Sequence, residues 1–138
     1  MDNELIYIDT NVYIDYFEGR SDGLRPLGDF AFNLIKRALS CEYKIAFSSF
    51  IEEELESNGH KTQLNELLDI LMKANKIIQF ETNANDEIRA AKLCKGKNMM
   101  DAKHAVIAHK CKAKYFVTRN WKDFEDYSFL ELKYPENL

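Results

Sequence analysis

Short apolar runs closed by polar capping residues alternate along the chain with stretches whose apolar positions recur every three or four residues. This alternation predicts strands and helices in turn. Residues 5–8 read as a short buried strand, and Asp9, Thr10 and Asn11 offer capping side chains for a helix through Val12, Ile14, Tyr16 and Phe17. Gly19 and the polar stretch to Arg25 end that helix, and a second is predicted over 27–40. A strand at 44–47 then leads into Ser48 and Ser49, good caps for a helix holding Glu52 to Glu56, so the order strand, cap, helix repeats. Leu64, Leu67, Leu68 and Leu71 mark the next helix, followed by a strand at 76–80 and a helix at 85–95 that Gly96 interrupts. An alanine-rich helix with a buried face is predicted at 99–111, a strand at 115–117 leading into Thr118, Arg119 and Asn120, and an edge strand at 130–134. Strands alternating with helices imply a parallel sheet covered on both faces, with sites outside the carboxyl ends of its strands.

The 138 residues, 46% of them apolar, suit one compact domain spanning 1–138. No twenty-residue apolar span occurs, and the first residues, Met1-Asp2-Asn3-Glu4, lack the basic and apolar regions of a signal peptide, so a soluble cytoplasmic protein without membrane contact is expected. Cys41, Cys94 and Cys111 are far apart and odd in number, which favours reduced thiols over a disulfide framework or a zinc site.

Charge changes the picture. The net charge is −4, yet between Arg89 and Lys122 there are ten basic residues and a single acid, Asp101. Such a segment is either a surface for a phosphate backbone or two solvated helix faces. Four carboxylates stand at the ends of predicted elements: Asp9 after an apolar strand, Glu54 early in a helix, Asp101 at the start of another, and Asp123 after the strand at 115–117. Gathered in one place they would repel one another unless a hard cation lay between them, so the pattern points to a divalent metal with oxygen ligands. Each carboxylate also has a plainer reading. Asp9 could cap a helix, Asp101 could sit in a first turn where the helix dipole favours it, and Asp123 could be a turn residue. Within Glu52-Glu53-Glu54, only the spacing from Ser48 and the following Leu55 selects Glu54 over Glu53.

Ile6-Tyr7-Ile8-Asp9-Thr10-Asn11, Ser48 through Glu54-Leu55, Met100-Asp101-Ala102, and Val117-Thr118-Arg119-Asn120 with Asp123-Phe124 together resemble a PIN-domain nuclease. The resemblance spans essentially the whole chain and is strongest to VapC-type toxins of toxin–antitoxin pairs. It implies a three-layer α/β/α sandwich with a central parallel sheet, an acidic pocket for Mg²⁺ or Mn²⁺, and metal-dependent endoribonuclease activity. By position, Asp9, Glu54, Asp101 and Asp123 would be the catalytic and metal-binding acids, with Thr118 and Asn120 supporting them. Many members carry an aspartate where Asn120 stands and others where Asp123 stands, so either residue could complete the site. The implied chemistry is in-line attack of a water on an RNA phosphodiester. The implied partners are the RNA substrate, a small antitoxin and a second copy of the chain.

Other residues carry weaker signals. His104 and His109 are five apart and do not share a helix face, so surface or half-core roles are expected for them and for His60. Trp121 could stack on a base or pack internally. Lys103, Arg119 and Lys122 are candidates for steering phosphate, and the apolar residues of 12–17 for an exposed antitoxin-docking face. Similar sheets also host haloacid-type phosphatases and phospho-receivers. The first needs a second aspartate where Asn11 stands, and the second needs one at the end of a mid-chain strand, where Phe47-Ser48 has none. An inactive PIN module that binds RNA or a partner, or a PIN nuclease in RNA processing, is the alternative function.

Overall fold

In a computed structural model of the chain, which describes residues 4–40, 42–94 and 98–138, the first apolar run forms strand β1 (Glu4–Ile8) at the centre of a sheet. Leu5 to Ile8 contains no charged residue, as a strand covered on both faces requires. One side of β1 pairs with β2 (Tyr43–Ser48), setting Ile6 opposite Ile45; β3 (Ile77–Phe80) lies beyond it. The other side pairs with β4 (Tyr115–Val117), setting Ile8 opposite Val117; β5 (Leu132–Lys133) forms that edge. The order is β3-β2-β1-β4-β5 and every pairing is parallel.

Parallel neighbours cannot be joined by hairpins, so each crossover carries helix. Helices α1 (Thr10–Glu18) and α2 (Leu27–Leu39) connect β1 to β2, and α3 (Ser49–Ser57) and α4 (Lys61–Lys73) connect β2 to β3. The crossover to β4 holds α5 (Ala84–Cys94) and α6 (Met99–Lys110), and a four-residue α7 (Trp121–Phe124) precedes β5. This is the three-layer α/β/α arrangement. Helix α2 buries Ala31, Leu34, Ile35 and Ala38, one stripe at helical spacing, and α4 buries Leu64, Leu67 and Leu71. Helix α6 is enclosed over most of its circumference, burying Ala102, Ala105, Val106, Ile107 and Ala108, and its small side chains permit that close approach.

Several boundaries differ from the sequence reading. The last strand shrinks from 130–134 to two residues because a 3₁₀ turn (Pro135–Asn137) follows at once, and proline has no N–H for a ladder. Lys76 lies just before β3, and α5 begins at Ala84. The stretch after β4 contains α7, too short to show a period in sequence. The Met1-Asp2-Asn3 start, Cys41, Lys95, Gly96 and Lys97 lie outside the described residues. Cys94 and Cys111 are free thiols. No described helix is long and apolar enough to cross a membrane.

The connection from α1 to α2 turns on two glycines. Gly19 ends α1 with φ +59°, and its N–H returns to the Asp15 carbonyl. A Cβ on Gly28 would lie 2.8 Å from the Gly19 Cα and 2.9 Å from the Asp15 carbonyl oxygen. Both are backbone atoms, which cannot swing aside. Gly28→Ala is therefore expected to destabilise the fold by about 2 kcal/mol in urea denaturation, the usual cost of overpacking; an unchanged midpoint would show that the two helices separate freely.

Candidate active site

The carboxyl ends of β1, β2 and β4 open on one side of the sheet and bring most of the predicted residues together. Asp9 follows β1, and its N–H donates to the Val117 carbonyl at 2.9 Å, which ties it to the end of β4. It occupies the N-cap position of α1, yet its side chain caps nothing. Its carboxylate is buried and accepts the Thr118 hydroxyl at 2.9 Å. Thr118, also buried, accepts the Asn120 N–H at 3.0 Å, so the turn after β4 is shaped around the group that holds Asp9.

Ser48 ends β2 and caps α3 by accepting the Ile51 N–H at 3.2 Å. That start turns Glu54 toward β1: the Thr10 hydroxyl donates to Glu54 Oε1 at 2.5 Å, and His104 Nε2 lies 2.7 Å from the same oxygen. Glu53 is exposed and lines a separate cleft with Phe50, Glu87 and Lys103. Of the adjacent glutamates, Glu54 is the one facing Asp9.

His104 was expected at the surface or half in the core; it is buried and central. Its Nδ1 lies 2.8 Å from the Tyr7 hydroxyl, which in turn lies 3.3 Å from the Ser48 hydroxyl, and its Nε2 lies 3.9 Å from Asp9 Oδ1. With the ring proton on Nε2, Ser48 donates to Tyr7, Tyr7 to Nδ1, and Nε2–H to Glu54, so every donor finds an acceptor. Two sequence signals mark this network. His104 is three residues after Asp101 and shares its helix face, and Tyr7 is two residues before Asp9 and shares its strand face.

Asn98 caps α6 by accepting the N–H groups of Met100 and Asp101 at 2.8 and 3.3 Å, which leaves the Asp101 side chain without a capping role. Neither Asp101 nor the exposed Asp123 makes a side-chain hydrogen bond or ion pair among the described residues. Burial first, then repulsion from Asp123, Asp9 and Glu54, push the Asp101 carboxyl up to about 6 against the pull of His104. Burial likewise raises Asp9, only partly offset by His104 and the Thr118 hydroxyl. Burial pushes Glu54 upward too, but the hydrogen bonds from His104 and from the Thr10 hydroxyl outweigh it and hold Glu54 below its ordinary value.

Four acids thus sense one another in a partly buried space, and the negative charge at Asp9 and Asp101 is under-compensated. An oxygen-donor set of this kind fits a hard divalent cation. Among the described residues no three His, Cys, Asp or Glu side chains stand close enough to form a ready-made metal cluster. The chemistry fits, while the ligands are spread rather than converged.

Much of the basic segment is tied to acids: Lys103 to Glu87 at 3.4 Å, Lys110 to Asp86 at 2.8 Å, Lys114 to Glu4 at 2.7 Å and Arg119 to Glu136 at 2.7 Å. Lys122 is exposed. Trp121 packs internally, stacked on Tyr134 with centroids 4.8 Å apart and its Nε1–H donating to the Thr118 carbonyl at 3.1 Å. The segment 12–17 is not an exposed apolar face: Val12, Tyr13 and Ile14 are core residues, and only the half-buried Tyr16 and Phe17 reach a groove shared with Leu67 and Ile70 of α4. His109 packs on Phe129, with centroids 4.7 Å apart, and His60 lies 2.8 Å from Glu18.

The PIN domain family model matches residues 6–130, and the chain belongs to that family. Its fold is shared with chains from solved complexes: VapBC2 from Rickettsia felis bound to a DNA fragment from their promoter, at 20% identity over 94% of this chain and 98% of that one with a TM-score of 0.65; a toxin-antitoxin complex from Klebsiella pneumoniae, at 20% identity over 96% and 99% with a TM-score of 0.64; and FitAcB from Neisseria gonorrhoeae, at 19% identity over 96% and 99% with a TM-score of 0.63. No curated protein shows significant sequence similarity to the chain.

Proposed function

We propose that this protein is a Mg²⁺- or Mn²⁺-dependent endoribonuclease and the toxin of a VapBC-type toxin–antitoxin pair, acting in the cytoplasm as one nuclease domain over residues 1–138. The observation that carries this reading is Asp101. Its carboxyl is half buried, has no partner among the described residues and is pushed up to about 6 by burial and its acidic neighbours, a costly arrangement unless a cation completes it. Asp9 and Asp101 would hold the ion, with Glu54 and Asp123 completing its shell, and a divalent cation bound there would offset phosphodiester charge and make water a better nucleophile. The protein's own residues fix the acids: Thr118 holds Asp9, and Thr10 and His104 hold Glu54. A small antitoxin as partner is supported by the fold shared with chains of toxin–antitoxin complexes.

The test is incubation of purified protein with structured and single-stranded RNAs in Mg²⁺, Mn²⁺ or EDTA, beside a folded Asp9→Asn variant. Cleavage that disappears in EDTA and in the variant is the expected result. Absence of cleavage together with absence of metal-dependent thermal stabilisation would overturn the proposal in favour of a binding module; cleavage that persists in EDTA would overturn the metal.

A further inference from the structure

A cleft of about 430 Å³ opens beside the carboxylates, between the end of α1, the loop to α2 and the turn after β4. It meets the acidic centre through two asparagines. Asn11 directly follows Thr10, and Asn120 bonds the Thr118 hydroxyl through its N–H. Both are exposed, and neither side-chain amide has a hydrogen bond among the described residues.

Three arginines line the same cleft. Arg119, with a side chain only 13% exposed, is clamped by Glu136 at 2.7 Å and by Asp15 at 3.7 Å. Arg25, with a side chain 60% exposed, pairs with the equally exposed Asp22, and Arg20, 45% exposed, pairs with the exposed Glu18 at 3.1 Å and more loosely with the buried Asp15 at 3.8 Å. Exposed pairs of this kind contribute about 0–1 kcal/mol. A guanidinium grips a phosphate through two charge-assisted hydrogen bonds, so a phosphodiester can displace the exposed Glu18 and Asp22 at little cost, while Asp15 keeps its looser contact with Arg20. Any polyanionic substrate entering an acidic centre needs such flanking cations, and in the segment expected to supply them Lys103, Lys110 and Arg119 are partly buried and engaged by acids.

We propose, building on the nuclease reading above, that this cleft binds a nucleotide of single-stranded RNA next to the scissile phosphate. Arg20 and Arg25 hold its backbone phosphate, and the Asn11 and Asn120 amides meet the edge of its base. The deep, narrow major groove of an A-form RNA duplex is closed to side chains, and an unpaired base offers its pairing edge to such amides, which is why the strand is single.

The experiment measures binding of fluorescently labelled twelve-nucleotide RNAs in EDTA, by anisotropy, so that neither metal nor cleavage enters the readout. The double variant Arg20→Ala/Arg25→Ala is expected to bind at least about tenfold more weakly and to lose about 1 from the slope of log Kd against log salt concentration. Asn11→Ala is expected to keep that slope and to change the relative affinities for A-, U-, C- and G-rich strands. Metal-dependent cleavage by the parent protein is measured separately. Cleaving parent protein with unchanged affinity and slope in the double variant overturns the cleft and spares the nuclease; parent protein that neither binds nor cleaves RNA overturns both. Binding of polyglutamate in place of RNA, lost in the double variant, overturns the RNA assignment and makes the cleft a docking surface for an acidic protein segment.

Discussion

Asp101→Asn is expected to lower metal-dependent RNA cleavage by about a thousandfold, equivalent to about 4 kcal/mol of transition-state stabilisation, and also to raise the melting temperature of the metal-free protein. The two effects share a cause. The Asp101 carboxyl is pushed up to about 6 by burial and by Asp123, Asp9 and Glu54, so in the folded protein it holds its proton at pH values where the unfolded chain has released it. The folded state therefore binds more protons between about pH 4 and 6, and stability falls as pH rises through that window. Above it the ionised carboxylate is a standing cost, which we set at about 1 kcal/mol after allowing for solvent screening of a half-exposed group. Asparagine removes the charge, and for a chain of this size the gain corresponds to about 3 °C near pH 7.5 in EDTA. Scanning calorimetry of both proteins at pH 5 and 7.5, with and without Mn²⁺, separates the contributions. The parent should gain stability from Mn²⁺ and the variant little. A variant less stable than the parent in EDTA at pH 7.5 would show that the acids are not mutually repelling.

His104→Ala should produce the largest loss of stability, about 3 kcal/mol, because it opens a cavity and strands buried polar groups on both sides. The Tyr7 hydroxyl loses its 2.8 Å partner and Glu54 its 2.7 Å partner. Metal affinity should fall about 10- to 100-fold at the same time, since a residue that orients a ligand carboxylate governs its geometry. His104→Gln distinguishes positioning from bulk. Its amide can still donate to Glu54, so metal affinity measured by Mn²⁺ titration should recover while stability recovers only in part. Tyr7→Phe, which removes only the hydroxyl behind the ring, should lie between the parent and His104→Ala. If metal affinity follows stability alone across all three variants, His104 supports the core and does not set Glu54.

The order of strands and helices was legible because each element is long enough for its period to show, as with Ala31, Leu34, Ile35 and Ala38 in α2. The four residues of α7 were too few. Asp9 and Thr118 could be found because a polar residue ending a buried parallel strand has few stable places to go. Glu54 was preferred to Glu53 on its spacing from Ser48 and the following Leu55, while the partners that hold it, Thr10 and His104, come from other elements and could not be read from that spacing. His104 itself was obscured by comparison with His109. Its significant neighbour in sequence is Asp101, one helical turn earlier. The apolar density of 12–17 could not reveal its direction, because a core-facing helix and a docking helix have the same composition. Charge counting failed for a related reason. Lysine stems span several ångströms, so Lys110 and Lys114 reach acids of distant segments, Asp86 and Glu4, that a linear sequence does not place beside them.

Placing the first strand at the middle of the sheet has a consequence for the newly made chain. β1 is flanked by β2 and β4, so one of its edges stays open on the ribosome until residues 115–117 have emerged, and loop closure over that distance makes the pairing a late event. Asp9 lacks both its backbone anchor at Val117 and its hydroxyl donor at Thr118 until the same moment. A translation product that stops short of Thr118 would carry three of the four acids without the means to hold the first. Synthesis order alone thus delays assembly of the acidic centre until Val117 and Thr118 have been made.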